Sequence, residues 1–143
     1  MSLEKSRFYY KVYGLEVESE ININEFVSIE DINAENKVNI VYANMPLNIK
    51  EDIKNNKKSS FSKAECWFHI NDVATYRVTG GNLIEFEPCE NADPYLLRVF
   101  LMCSCLGFIM IQRDIVAIHG GTIVIDNKAI ILTGNRGAGK STL

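Results

Sequence analysis

Apolar and polar positions alternate along the chain as far as Glu87, and the alternation predicts strands. Phe8-Tyr9-Tyr10-Lys11-Val12-Tyr13 and Leu15-Glu16-Val17-Glu18-Ser19 flank Gly14, so they predict two strands around a tight turn. Val38-Asn39-Ile40-Val41-Tyr42 predicts another strand. Cys66 to Ile70 and Val73 to Val78 flank Asn71-Asp72 and predict a hairpin, and Gly80-Gly81-Asn82 then turns the chain into Leu83 to Glu87. Between these runs, Glu20 to Ala34 has no clean period and predicts irregular structure. Asn44 to Lys63 carries Lys50, Lys54, Lys57, Lys58 and Lys63 among Asn and Ser, which predicts a solvated basic loop. The tyrosines of the first strand fit a half-buried antiparallel sheet better than a base-stacking platform.

The pattern changes at Asp93-Pro94. Asp93 suits a helix N-cap and Pro94 the first helical position. Tyr95 to Gln112 is apolar nearly all round, with Arg98 its one charge before Arg113, which predicts a helix at the centre of a core. Its uncharged run, Val99 to Ile111, is shorter than the roughly 20 residues that cross a bilayer, so no membrane span is expected. Beyond it, Ile115 to Ile118 leads to His119-Gly120-Gly121. Thr122 to Ile125, a turn at Asp126-Asn127-Lys128, and Ala129 to Thr133 then predict a second hairpin, whose last strand is expected to be buried.

Composition narrows the picture. Hydrophobic content of 47% and charged content of 23% are those of an ordinary globular chain of about one domain. A net charge of −3 argues against a nucleic-acid footprint spread over the surface. Cys66, Cys89, Cys103 and Cys105 lack C-x-x-C spacing and paired histidines, so they predict buried thiols of a reducing cytoplasm and no zinc site. Cys103 and Cys105 stand two apart on the predicted helix and should point to different faces. His69 reads as an ordinary strand histidine.

The candidate chemistry lies at the carboxyl end. Gly134-Asn135-Arg136-Gly137-Ala138-Gly139-Lys140-Ser141 fits G-x-x-x-x-G-K-[ST], the phosphate-binding loop, with Thr142 following. Gly134 and Gly139 let the backbone wrap an anion, and the amides between them can cradle α- and β-phosphates. Lys140 reaches the β/γ-phosphates, the Ser141 hydroxyl takes Mg²⁺, and a helix starting at Gly-Lys-Ser adds its positive end. The pattern therefore predicts ATP with Mg²⁺ as cofactors.

Taken with Ile118-His119-Gly120-Gly121, the hairpin, and the helix ending in Gln112-Arg113, this loop resembles the HPr kinase/phosphorylase family and its HPr-kinase-like relatives. The resemblance covers about Asp93 to Leu143. It implies an ATP-dependent phosphotransferase acting on a protein or small-molecule hydroxyl, with His119 in a catalytic position beside the phosphates. Arg136 and Thr142 depart from the true HPr kinases, which usually have Ser and an acidic residue there. The departure moves the expectation to the HPr-kinase-like group.

The fold class expected is α+β: an antiparallel β-rich N-terminal module at 1–92, one long apolar helix, then the first hairpin and phosphate loop of a P-loop kinase core at 93–143. The family's catalytic acids lie downstream of the loop, so the sequence reads as the N-terminal part of a longer cytoplasmic enzyme, inactive by itself. A homo-oligomer is expected, because the last strand and the helix present apolar surface. Two alternatives stand beside this reading. An ABC-type ATPase also commonly ends its loop Gly-Lys-Ser-Thr-Leu, but a long apolar helix ahead of the loop has no clear counterpart there. The other is a non-catalytic binding or scaffold module.

Overall fold

A computed structural model describes residues 6–32, 35, 37–116, 118 and 120–134. Strands β1 (Phe8–Val12) and β2 (Leu15–Ser19) form the expected hairpin, and its turn residues Tyr13 and Gly14 both adopt positive φ, 52° and 76°. Among the described residues of the stretch expected to be irregular, strand β3 (Val27–Ser28) is the one regular piece, and it pairs with β1. Strand β4 (Val38–Tyr42) follows as expected.

The basic stretch is not the loop its composition predicts. It holds helix α1 (Leu47–Lys54) and strand β5 (Ser59–Phe61). The helix begins after Pro46, and Asn56 ends it in the left-handed region, at φ 63°. Its apolar stripe is narrow: Ile49 and Ile53, four apart, pack with Met45 against Trp67. Two isoleucines among lysines and asparagines leave little periodic signal, which is why the composition misled.

Strands β6 (Glu65–Ile70), β7 (Ala74–Thr79) and β8 (Leu83–Pro88) complete an eight-stranded sheet ordered β3-β1-β2-β4-β8-β7-β6-β5. Only β4 runs parallel to its neighbours, β2 and β8. Every other pairing is antiparallel.

Helix α2 (Pro94–Phe100), a π-helical turn (Leu101–Cys105) and helix α3 (Leu106–Gln112) run on as one helix. Asp93 caps it as expected, its Oδ1 accepting from the Tyr95 amide at 2.8 Å. One face, carrying Leu97, Leu101, Cys105, Leu106 and Ile109, joins Tyr10, Val17, Ile40, Tyr76 and Phe86 in a single core. Each large side chain buried there contributes roughly 1.5–3 kcal/mol. Phe68 belongs to this core while its neighbour Trp67 packs against α1, so the two helices cover opposite faces of the sheet.

The outer face of the long helix leaves Tyr95, Leu96 and Ile111 exposed. By length and composition Pro94–Gln112 would suffice to cross a membrane, with 33% of its most apolar window buried. The 13-residue uncharged run underestimated that length, since Arg98 sits inside the helix and pairs with Glu25. The fold is therefore α+β, with a large, mainly antiparallel sheet and one long helix.

The helix end is fastened to the sheet by the residues the family resemblance had singled out. Gln112 Oε1 accepts from the Gly81 amide at 2.8 Å, and its Nε2 donates to the Val78 carbonyl at 3.1 Å. Arg113 Nε donates to the Gly81 carbonyl. Gly81, at φ 67°, takes a conformation that side chains resist, and an added Cβ would meet Arg113 Cγ at 3.1 Å.

The cysteines divide. Cys66 and Cys105 are buried, as expected, but Cys103 is exposed and Cys89 half-buried. Position 103 falls on the outer face of the helix and 105 on the inner one, so the opposite-face expectation holds.

Candidate functional site

Strands β9 (Gly121–Ile125) and β10 (Lys128–Leu132) form the predicted second hairpin, separate from the large sheet. Its two-residue turn, Asp126 and Asn127, has φ of 48° and 59°, the paired positive values of a tight hairpin turn. Register runs from Ile125 opposite Lys128 to Gly121 opposite Leu132. The strand expected ahead of the phosphate loop is thus present, but it is not buried. Val124 and Ile131 are 71% and 54% exposed, because a two-stranded sheet cannot cover its own faces.

Chain on both sides of the hairpin leaves from one end. Gly120 lies against Leu132, and Thr133 and Gly134 continue from β10 without regular structure. Gly134, the first residue of the motif, is exposed there. The other site residues predicted from sequence, His119 and Asn135 to Thr142, lie outside the described residues. Among them the loop amides and the Lys140 ammonium are donors that fit phosphate oxygens, and the Ser141 hydroxyl is a hard oxygen that fits Mg²⁺.

His69 has the structural role expected of it. Its Nδ1 lies 2.9 Å from Thr75 Oγ1 on the neighbouring strand. Burial lowers its pKa and the Lys58 ammonium lowers it further, against a smaller opposing pull from Asp72. Tyr10 is also built in, its hydroxyl accepting from the Ile23 amide at 2.8 Å and donating to Asn22 at 2.9 Å. Across the sheet Arg77 is held by Glu65 and Glu85. Burial opposes its charge, yet those two carboxylates raise its pKa. Among the described residues no group of three or more His, Cys, Asp or Glu side chains is arranged to hold a metal.

Sequence reasoning missed a second concave region. Two open hollows, of about 320 and 380 Å3, lie between β5 and the long helix, one on either side of the contact between Phe61 and Phe108. Those rings stand 5.3 Å apart. Their residues are 47 positions apart in the chain (108 − 61), so no local spacing could have linked them. No family model, no curated protein and no solved structure matches this chain.

Proposed function

We propose that the chain carries the nucleotide-binding end of an ATP-dependent, HPr-kinase-like phosphotransferase of the cytoplasm. The observation that carries this reading is a strand, β10, ending at Leu132 with Thr133 alone between it and Gly134, where G-x-x-x-x-G-K-[ST] begins. The exit of the 120 and 134 ends from the same side of the hairpin supports grouping His119 with the loop. In this reading Gly134 to Gly139 supply amides to the phosphates, Lys140 neutralises the β/γ-phosphates, and Ser141 ligates Mg²⁺. The metal, when bound, offsets charge developing on the transferred phosphoryl group. The acceptor is a protein or small-molecule hydroxyl. A second copy of the chain is the proposed cover for the apolar hairpin faces.

The test is Mg²⁺-dependent binding of a fluorescent ATP analogue to the wild type and to Lys140→Ala. A charge-assisted contact is worth roughly 1.5–3 kcal/mol, so the variant should bind at least about tenfold more weakly. Identical titrations for the two proteins, including no binding by either, would overturn the proposal.

A further inference from the structure

The stretch whose lysines suggested only a solvated loop ends in an open sheet edge beside an apolar groove. Strand β5 pairs with β6 through Ser59↔Phe68, Ser60↔Trp67 and Phe61↔Cys66. On either side of that ladder, His69 N donates to the Lys58 carbonyl at 2.8 Å and Ser62 N to the Glu65 carbonyl at 2.9 Å. Antiparallel pairing alternates, so Lys58, Ser60 and Ser62 turn their backbone groups toward β6. Ser59 and Phe61 therefore turn their amides and carbonyls outward, and among the described residues no strand pairs with that side.

Such an edge invites another strand; no proline or bulge closes this one, and its short length and flanking Lys58 and Lys63 deter a like-charged strand rather than an acidic one. The groove beside it has the form needed to read side chains. Ser59, Phe68, Phe100 and Ser104 line the first hollow; Cys66 and Ile111 line the second. Phe61 stands between them, 59% exposed. The helical wall is built at the π-helical turn, which carries Ser104 at the first hollow while Cys105 stays in the core. Single π turns recur at functional sites, where they re-aim side chains.

Charge specifies the occupant. Lys58 lines the first hollow and Lys63 the second, and Lys57 stands two residues before β5, on a chain whose net charge is −3. Lys57 pairs with Asp52 and Lys63 with Asp114, whereas Lys58 bonds the neutral side chain of Asn71. A second β5 is a poor guest, since it would bring the same lysines against these. We propose that β5 is a docking edge for an extended acidic peptide of a partner protein. The peptide adds as a strand on Ser59 and Phe61 and seats alternate apolar side chains in the hollows flanking Phe61. Backbone pairing supplies affinity and the hollows supply selectivity, as in other strand-addition sites. The site does not depend on the nucleotide reading.

The probe is a short fluorescent peptide alternating Glu with Val, compared by polarisation with its Lys-Val counterpart. The acidic peptide should bind at least about tenfold more tightly at low salt, and the difference should shrink as salt is added. N-methylating alternate amides in one phase should abolish binding, and methylating the other phase should leave it intact. Ser59→Pro removes an outward amide without touching the ladder to β6, and should weaken binding about tenfold. Ser60→Ala, on the opposite face, should change nothing. Equal affinity for the two peptides, or indifference to methylation phase and to Ser59→Pro, would overturn the proposal. So would dimerisation of the chain through this edge, dispersed by Ser59→Pro.

Discussion

Gly120 lies so close to the carbonyl oxygen of Leu132 that a β-carbon added there would sit 2.7 Å from it. The obstacle is backbone and cannot swing aside. Gly120→Ala should therefore prise open the base of the β9–β10 hairpin, at a cost of about 1–3 kcal/mol for overpacking. Amide exchange should accelerate across β9 and β10 while β6 and β7 stay protected, because the hairpin is separate from the large sheet. Unchanged protection in the hairpin would contradict this placement of Gly120.

The Gln112 side chain closes two backbone groups at once, the Gly81 amide of the β7–β8 turn and the Val78 carbonyl of β7. Gln112→Ala leaves both without that partner and should cost about 1–3 kcal/mol. For a chain of this size that lowers Tm by about 2–4 °C per kcal/mol. Gln112→Glu keeps the acceptor for Gly81 but sets a carboxylate oxygen against the Val78 carbonyl in place of the donor, so it too should melt below wild type. Equal melting of all three proteins would remove the clamp.

The strands of the large sheet that were legible in the sequence are those with a face in a core, whereas β3 and β5, with no buried residue, were not. Val17, Val38, Ile40, Tyr76, Ile84 and Phe86 recur at every second position and are fully buried. The Asp93-Pro94 helix start was equally plain, since the cap and the proline act locally. What stayed hidden depends on partners far away in sequence. Helix α1 rests on Trp67, and its Lys50 is held by Glu87, neither of which a local window contains. The π-helical turn leaves no mark in hydrophobic periodicity. For the candidate site, the motif was legible as a string, and the hairpin leading into it was read correctly. The burial of that hairpin was not, because apolar composition says what a strand would cover and not whether it is covered.

Glu87 ties α1 to the sheet: its carboxylate accepts from the Met45 amide at 2.6 Å and from Lys50 Nζ at 2.9 Å. Burial alone would raise its pKa, but Lys50 and the Met45 amide outweigh burial and lower it. The folded value therefore lies below that of an ordinary glutamate. The stability this contributes is complete above the unfolded pKa and is lost as pH falls through the folded one. Glu87→Gln should therefore be less stable than wild type at neutral pH, and the gap should close on the acid side of the glutamate range. Urea midpoints measured across pH give the comparison. A gap that stayed constant from neutral to acid would show that the ion pair contributes nothing.

The hairpin offers the sharpest test of assembly. Val124 is 71% exposed and pairs across the strands with Ala129, while Ile123 and Ile130 form the next pair, on the opposite face. Both faces are thus apolar, and burying either against a second copy would remove exposed β-branched side chains from water at about 25 cal/mol per Å2. Val124→Lys places a charge at the middle of one face without disturbing the turn at Asp126-Asn127. If a second copy covers that face, the variant should run as a smaller species by light scattering and wild type as a larger one. Ile123→Lys makes the same test of the other face, so the pair reports which side is covered. Wild type and both variants scattering alike as monomers would show that the hairpin is covered by no copy of this chain.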